Sequence, residues 1–498
     1  MAHVSDPVHL DDILLKFSVF GRYHAVASVC LTLVNVFEII AYNNYVFITE
    51  EVKYRCVSNS YEYNGSNRSQ LNSSVLAGDC TADSCAQWVY DDPHSFVAEF
   101  ELACQEWKRT LVGSMHSFGC MLGLVIVGPL SDRLGRKTLT VATCVLGSVL
   151  GLARSFTTSY WLYVALEFLE AVVGDPTSSS FTLCIEMVAT EKRVLYTSIS
   201  GFGYTIGGIL YPLLYWLVPY WRNFLRTVYT PGLLFIFYIY LIDESPRWLL
   251  TKRKKKKAVT IIDNAAKSNK MQLEMDLNKI SYEEDKGAKF SKALLDTFKS
   301  KSLLLRFFVC SVWWIASTFV YHGLTINSIF LQGNKYVNYG LMYIVDVPVL
   351  IAVVFILKRF RRKMPLIITF VACAVLCVAQ PFVPREHPWL SITVYLSGKL
   401  MSSFYLSITY IFTSELFPTS TRNSMHALCS SVGRLGSVVA PQMPLLMAYW
   451  SGLPAVIFGL VSLTAGILTL LVPDTAEDSL PDTVRQAENI GKLDENEL

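Results

Sequence analysis

The sequence predicts an all-α membrane protein with twelve transmembrane helices in two six-helix bundles. Three observations carry this. Of the 498 residues, 52% are hydrophobic and only 17% charged, against about 25% charged in a soluble chain, and the mean hydropathy is +0.38. The apolar residues fall in blocks long enough to cross a bilayer, which takes about 20 residues per helix. A long polar stretch divides those blocks six and six. Soluble enzymes, fibrous proteins and disordered chains are excluded, and a net charge of +3 is too small to suggest nucleic acid as a partner.

In chain order, residues 1–22 are polar and lack the apolar core of a cleavable signal, so the first span is expected to remain as a signal anchor. Apolar runs lie at 23–48, 110–130, 138–154, 160–187, 195–218 and 225–243. After the polar segment 244–303 a second set covers 304–473, at 304–326, 338–357, 365–384, 390–413, 426–448 and 454–473, followed by a polar tail, 474–498. Two equal sets with short connections suggest bundles related by an axis along the membrane normal, with a solute site between them.

Orientation follows from lysine and arginine in the short loops. Arg133, Arg136 and Lys137, then Lys192 and Arg193, then the run Lys358 to Lys363 all fall on one side, and Lys252 to Lys257 in the central loop are basic at every position. That side, with both termini, is expected to be cytoplasmic. The run could instead be read as a nuclear signal, but beside a membrane span it fits the positive-inside rule, and it suits anionic lipid head groups. The long loop 49–109 then lies outside. It holds all three glycosylation sequons, at Asn64, Asn67 and Asn72, and four of the twelve cysteines, Cys56, Cys80, Cys85 and Cys104. Four cysteines in an oxidising compartment allow two disulfides in three connectivities. A metal site at Cys80 and Cys85 would lack histidine ligands.

Three segments carry a resemblance. Gly128-Pro-Leu-Ser-Asp-Arg-Leu-Gly-Arg-Lys-Thr138 resembles the signature loop of the major facilitator superfamily. Asp243-Glu-Ser-Pro-Arg-Trp-Leu-Leu250 is similar to the PESPRWLL box of sugar porters and organic ion transporters, and Ser414-Glu-Leu-Phe-Pro-Thr-Ser-Thr-Arg-Asn423 to a segment of the organic ion group. With the cysteine-bearing loop, the chain resembles the organic cation, organic anion and carnitine transporters, the twenty-second solute carrier family. The resemblance implies the major facilitator fold, with motions that alternately open the two sides.

Physics gives these motifs a role. Asp132, Arg133, Arg136 and Lys137 occupy a tight turn at the membrane face, where they can pair with acids on helix ends such as Glu186 and act as a gate. Glu244 and Arg247, and Glu415 with Arg422, are expected to latch in the same way. The second-half copy of the signature loop, Lys358-Arg-Phe-Arg-Arg-Lys363, lacks the acid and the glycine. The family's fourth span usually carries an early arginine, but here reads Leu166-Glu-Phe-Leu-Glu170 and Gly174-Asp-Pro176.

Ionisable side chains inside spans mark pathways, relays or internal pairs. Here they are Glu38, Glu167, Glu170, Asp175, Asp346, Lys399 and Arg434. Arg434 stands out. It lies about eight residues, or about 12 Å, into its helix, with glycines on both sides, and a guanidinium fork binds carboxylates bidentately. A structural arginine held by an acid is the alternative, as is a pairing of Lys399 or Arg434 with Asp346. Tyr321, with His322, resembles the family's tyrosine element in the seventh span. Asn43, Asn44, Tyr204, Tyr211, Phe404 and Tyr405 complete the candidate cavity.

The function expected is secondary-active or facilitative transport of small organic ions by alternating access, favouring organic anions or carboxylate-bearing, carnitine-like zwitterions. The alternatives are an organic cation transporter using Glu38, Asp175 or Asp346, and a solute sensor that moves nothing. No nucleophile–base set or phosphate-binding loop suggests an enzyme, and no cofactor or metal is expected. The partners expected are a small organic ion, a coupling or exchange ion and the bilayer, with a monomer in the plasma membrane.

Overall fold

The computed structural model describes residues 8–57, 74–75, 87–271, 280–281, 297–384, 386–418, 421–475 and 484–489. Twelve long helical segments run through them. The first six are α1 (Arg22–Ile48), α2 (Glu106–Leu134), α3 (Arg136–Arg154), α4 in two pieces (Tyr160–Val173 and Thr177–Glu186), α5 (Arg193–Leu217) and α6 (Trp221–Leu241). The second six are α7 (Lys301–Phe330), α8 (Lys335–Ile344 and Asp346–Arg359), α9 (Lys363–Phe382), α10 (Pro388–Glu415), α11 (Arg422–Val439, continued by the tighter turns Ala440–Ala448) and α12 (Leu453–Leu471).

Eight of these segments are long and apolar enough to cross a membrane. The other four are α4, which is broken into two pieces, α5, α10 and α11. Pro176 lacks an N–H and ends the first piece of α4, α10 carries Lys399 and α11 carries Arg434. Polar residues at membrane depth belong inside the bundle, so it is these helices that supply much of the site.

Packing repeats between the halves. In the first, α1 packs on α5 and α2 on α4; in the second, α7 packs on α11 and α8 on α10. Gly436 shows why α11 and α7 come so close: a Cβ there would lie 2.4 Å from the Ile315 carbonyl oxygen, and small residues are what let helix backbones meet in a membrane.

The halves are joined at the end where α1 finishes and α2 and α8 begin, the end predicted to be extracellular. Lys335 Nζ reaches Glu50 at 2.5 Å, Asn43 donates to the Tyr343 hydroxyl at 2.9 Å, Thr110 donates to Gln442 at 2.9 Å and Gln442 donates to Ser114 at 2.7 Å. Phe47 packs against Tyr336 and Tyr339, with ring centroids 5.3 and 5.2 Å apart. At the opposite end the ion pairs described below each stay within one half.

Two features lie outside the helical pattern. Between α1 and α2, Tyr54–Val57 is the central strand of a three-stranded antiparallel sheet, with Cys56 opposite Val75 on one side and Trp88 on the other. Cys56 and Cys104 each take part in a disulfide, whereas Cys80, Cys85, Asn64, Asn67 and Asn72 fall outside the described residues. At the other end, Leu10, Ile13, Leu14 and Phe17 pack on Ile262, Ala265 and Ala266, joining the N-terminal helix Leu10–Lys16 to the central-loop helix Lys255–Ser268.

Candidate functional site

The break in α4 positions one pole of the site. The Thr177 amide donates to Asp175 Oδ1 at 2.8 Å, and Glu38 of α1 and Tyr204 of α5 are in electrostatic contact with that Asp175. Across from them Arg434 of α11 is in electrostatic contact with Tyr42, Asp175, Cys120 and Glu38. Among the described residues no side-chain hydrogen bond or ion pair holds the guanidinium. Two carboxylates and one uncommitted guanidinium thus share this pole.

The second pole is built by α7, α8 and α10. Lys399 Nζ donates to Thr325 Oγ1 at 2.9 Å and to the Tyr321 carbonyl at 3.4 Å, and stands 2.9 Å from the centroid of the Tyr321 ring. Tyr321 donates its hydroxyl to Asp346 Oδ2 at 2.7 Å, and Ser403 donates to Oδ1 at 2.5 Å. Asp346 opens the second piece of α8, where the helix is interrupted at Val345. Lys399 therefore faces Asp346 through Tyr321, while Arg434 belongs to the other pole. His322 bridges the two: it feels both Arg434 and Lys399, and its ring centroid is 5.6 Å from that of Tyr42. Phe404, one turn on from Lys399, is half-buried.

Several expected cavity residues are committed to packing instead. Asn44 is fully buried and donates to the Tyr229 hydroxyl at 3.0 Å, and Asn43 is committed to Tyr343. Tyr211 donates to the Asn44 carbonyl at 3.0 Å, and Tyr405 stacks on Phe370 at 4.3 Å. Their polar groups sit where helices touch, and a buried amide or hydroxyl needs a partner there.

Glu167 and Glu170 form a separate cluster that the sequence did not reveal. Arg154, fully buried at the end of α3, bonds Glu167 and reaches Glu170 at 2.8 Å and the Tyr229 hydroxyl at 2.7 Å. Tyr229 donates to Glu170 at 2.8 Å, and His116 Nδ1 lies 2.8 Å from Glu167. His116, Glu167 and Glu170 converge closely enough to hold a metal ion, but Arg154 already supplies the positive charge. The arginine that the resemblance places in the fourth span is absent there, and one from the third takes up the acids of the fourth.

At the far end the ion-pair arrangement expected to act as a latch appears twice. Arg136 donates to Glu186 at 3.1 Å, pairs with Asp132 at 2.9 Å and donates to the Ser131 carbonyl at 3.0 Å. Arg362 donates to Glu415 at 3.2 Å and to the Leu357 carbonyl, likewise five residues back. Glu244, after α6, accepts from the Lys137 amide at 3.0 Å; Asp474, after α12, accepts from the Arg362 amide at 3.1 Å. Only the first copy needs its glycine: Gly135 has φ +107°, and a Cβ there would meet the Glu244 carboxylate at 2.3 Å.

Three expectations about this end change. Glu415 pairs with Arg362, and Arg422 joins no ion pair among the described residues, because the basic loop before α9 passes nearer the end of α10. Arg133 is exposed and outside the cluster. Arg247 ties down the N-terminal helix, pairing with Asp11 at 2.5 Å, and this hydrogen-bonded guanidinium holds the Asp11 carboxyl below the usual range.

The twin latches set an expectation. Arg136→Ala and Arg362→Ala should each lower flux about 5-fold or more while leaving solute binding nearly unchanged, because they shift a conformational equilibrium and do not touch the site. Transport and radioligand binding measured on the same membranes check it; equal losses of both would remove the gating role.

Two repeated bundles, each with the same ion-pair arrangement at one end, give the major facilitator fold of a membrane transporter. The profile of the sugar (and other) transporter family matches residues 24–485. The chain is 33% identical over 411 residues to solute carrier family 22 member 1 of Bos taurus, covering 82% of this chain and 73% of the relative. It is 31% identical over 442 residues to an organic cation transporter protein of Drosophila melanogaster, covering 85% and 80%. The fold matches the inward-open xylose transporter XylE from E. coli with a TM-score of 0.61 at 16% identity, covering 93% of this chain and 98% of that one. The chain belongs to the sugar (and other) transporter family and, within it, to solute carrier family 22.

Proposed function

We propose that this transporter moves small organic ions bearing an ammonium group across the plasma membrane by alternating access, and that its preferred substrates are zwitterions pairing that ammonium with a carboxylate. The observation carrying this is the first pole: Glu38 and Asp175 beside an Arg434 that no side chain among the described residues holds. An ammonium suits the two acids and a carboxylate suits the guanidinium fork. Aromatic rings at Tyr42 and Tyr204 favour a quaternary ammonium. A preference for plain organic anions is given up, since the acids at this pole outnumber the base and a relative at 31% identity is named an organic cation transporter. That relative supports a second reading, transport of organic cations without a carboxylate.

Uptake into transfected cells tests the proposal with three labelled probes: a trimethylammonium carboxylate, a tetraalkylammonium and a simple monocarboxylate. The zwitterion should enter fastest and the monocarboxylate slowest. Uptake led by the tetraalkylammonium would select the second reading, and uptake led by the monocarboxylate would overturn both.

A further inference from the structure

Beside the membrane, α3, α6 and the helix Lys255–Ser268 enclose a groove of about 900 Å³. Its two ends differ in chemistry. One is apolar, with Leu146, Ile236 and Ile239 about half exposed on the outer faces of α3 and α6. The other carries Lys137, Lys254 and Lys257. Two acids also line it: Glu244, which accepts from the Lys137 and Ser245 amides, and Asp243, which is in electrostatic contact with Tyr23.

The helix that closes the basic end is electrostatically mismatched. It begins at Lys255 with no side-chain cap and no acid in its first turn, and Lys254 to Lys257 stack four positive charges on a helix end that is already positive. A bound anion would offset this accumulated positive charge.

We propose that this groove binds one anionic phospholipid, with its phosphate among Lys137, Lys254 and Lys257 and its acyl chains along Leu146, Ile236 and Ile239. The occupant is a lipid because the apolar end faces the bilayer and is continuous with the basic end, which lies on the side predicted to meet the anionic cytoplasmic leaflet. Occupancy bears on gating. Trp248, in the groove wall under Lys254, donates its indole N–H to the Asp132 carbonyl at 2.9 Å, and Asp132 pairs with Arg136.

The full-length protein, purified and reconstituted in phosphatidylcholine vesicles with and without phosphatidylserine, tests this by native mass spectrometry of retained lipid and by flux. Wild type should retain one phosphatidylserine, and its flux should depend on that lipid. Lys254→Ala/Lys257→Ala should weaken retention about 30-fold. Lys255→Ala/Lys256→Ala removes the same charge from the same run but outside the groove, and should change retention little. Leu146→Trp fills the apolar end without altering charge and should also reduce retention. Equal losses from the two lysine pairs would reduce the effect to diffuse surface attraction and overturn the site, as would wild-type retention in Leu146→Trp.

Discussion

Replacing Arg154 by alanine is expected to remove most of the folded transporter from the cell surface. The side chain is fully buried, and its two acid partners are buried with it. Deleting it strands two carboxylates in a low-dielectric interior, and breaking a buried pair in this way costs about 3–5 kcal/mol, a large share of a typical folding free energy of about 5–15 kcal/mol. The network also ties α2, α3, α4 and α6 together through His116, Glu167, Glu170 and Tyr229. Lysine should rescue only in part, because a single ammonium cannot reproduce the fork that reaches Glu167, Glu170 and Tyr229 at once. Neutralising the acids together with the arginine, as in Arg154→Met/Glu167→Gln/Glu170→Gln, should recover more surface protein than lysine does, since no charge is then left alone. Surface biotinylation and thermal unfolding in detergent report on this. An Arg154→Ala protein that reaches the surface and melts like wild type would show that the cluster is not structural.

Arg434 should behave in the opposite way, leaving the fold intact and changing what is carried. It is half-buried and unheld among the described residues, so its removal strands no partner within hydrogen-bond distance. A hydrogen-bonded charge contributes about 1.5–3 kcal/mol, so Arg434→Ala should weaken apparent affinity for an ammonium carboxylate about 10- to 100-fold. The same change should spare or improve a tetraalkylammonium, because Glu38 and Asp175 lose a neighbouring positive charge. Arg434→Asp should shift preference further toward cations, and Arg434→Lys should be intermediate, keeping the charge without the fork. Uptake of both probes at matched surface expression checks the order. Unchanged affinity for the zwitterion in Arg434→Ala would sink the carboxylate assignment and leave recognition to the acids alone.

The two arginines were unequally legible in the sequence. Arg434 lies in mid-span, where a charge is anomalous and draws attention. Arg154 closes the predicted run 138–154, where a basic residue looks like an ordinary helix end facing head groups. Only the packing of α3 against α4 and α6 turns it inward. The second latch was obscured for a related reason. Its loop lacks the acid and glycine of the first, yet the working parts are one arginine, a carbonyl five residues back and an acid about fifty residues on, and neither Arg362 nor Glu415 is unusual alone. The two pairs are 50 and 53 residues apart in sequence, a regularity that becomes meaningful once α8 and α10 are seen to repeat α2 and α4.

The sequence by itself determined the membrane character, the apolar blocks, their division into six and six, and the presence of ionisable residues inside spans. All of these follow from composition and hydropathy, which the bilayer reads locally, one helix at a time. Tertiary structure decided which polar residues share a site. Asn43 and Asn44 look the same in sequence as Thr177 or Ser403, but a side chain's role at membrane depth depends on what stands across from it. Close helix packing sets the two asparagines against Tyr343 and Tyr229, while the breaks at Gly174–Pro176 and Val345 place Asp175 near Arg434 and Asp346 against Tyr321 and Ser403. Pairing across helices is a long-range property, fixed by crossing geometry, and no local pattern encodes it.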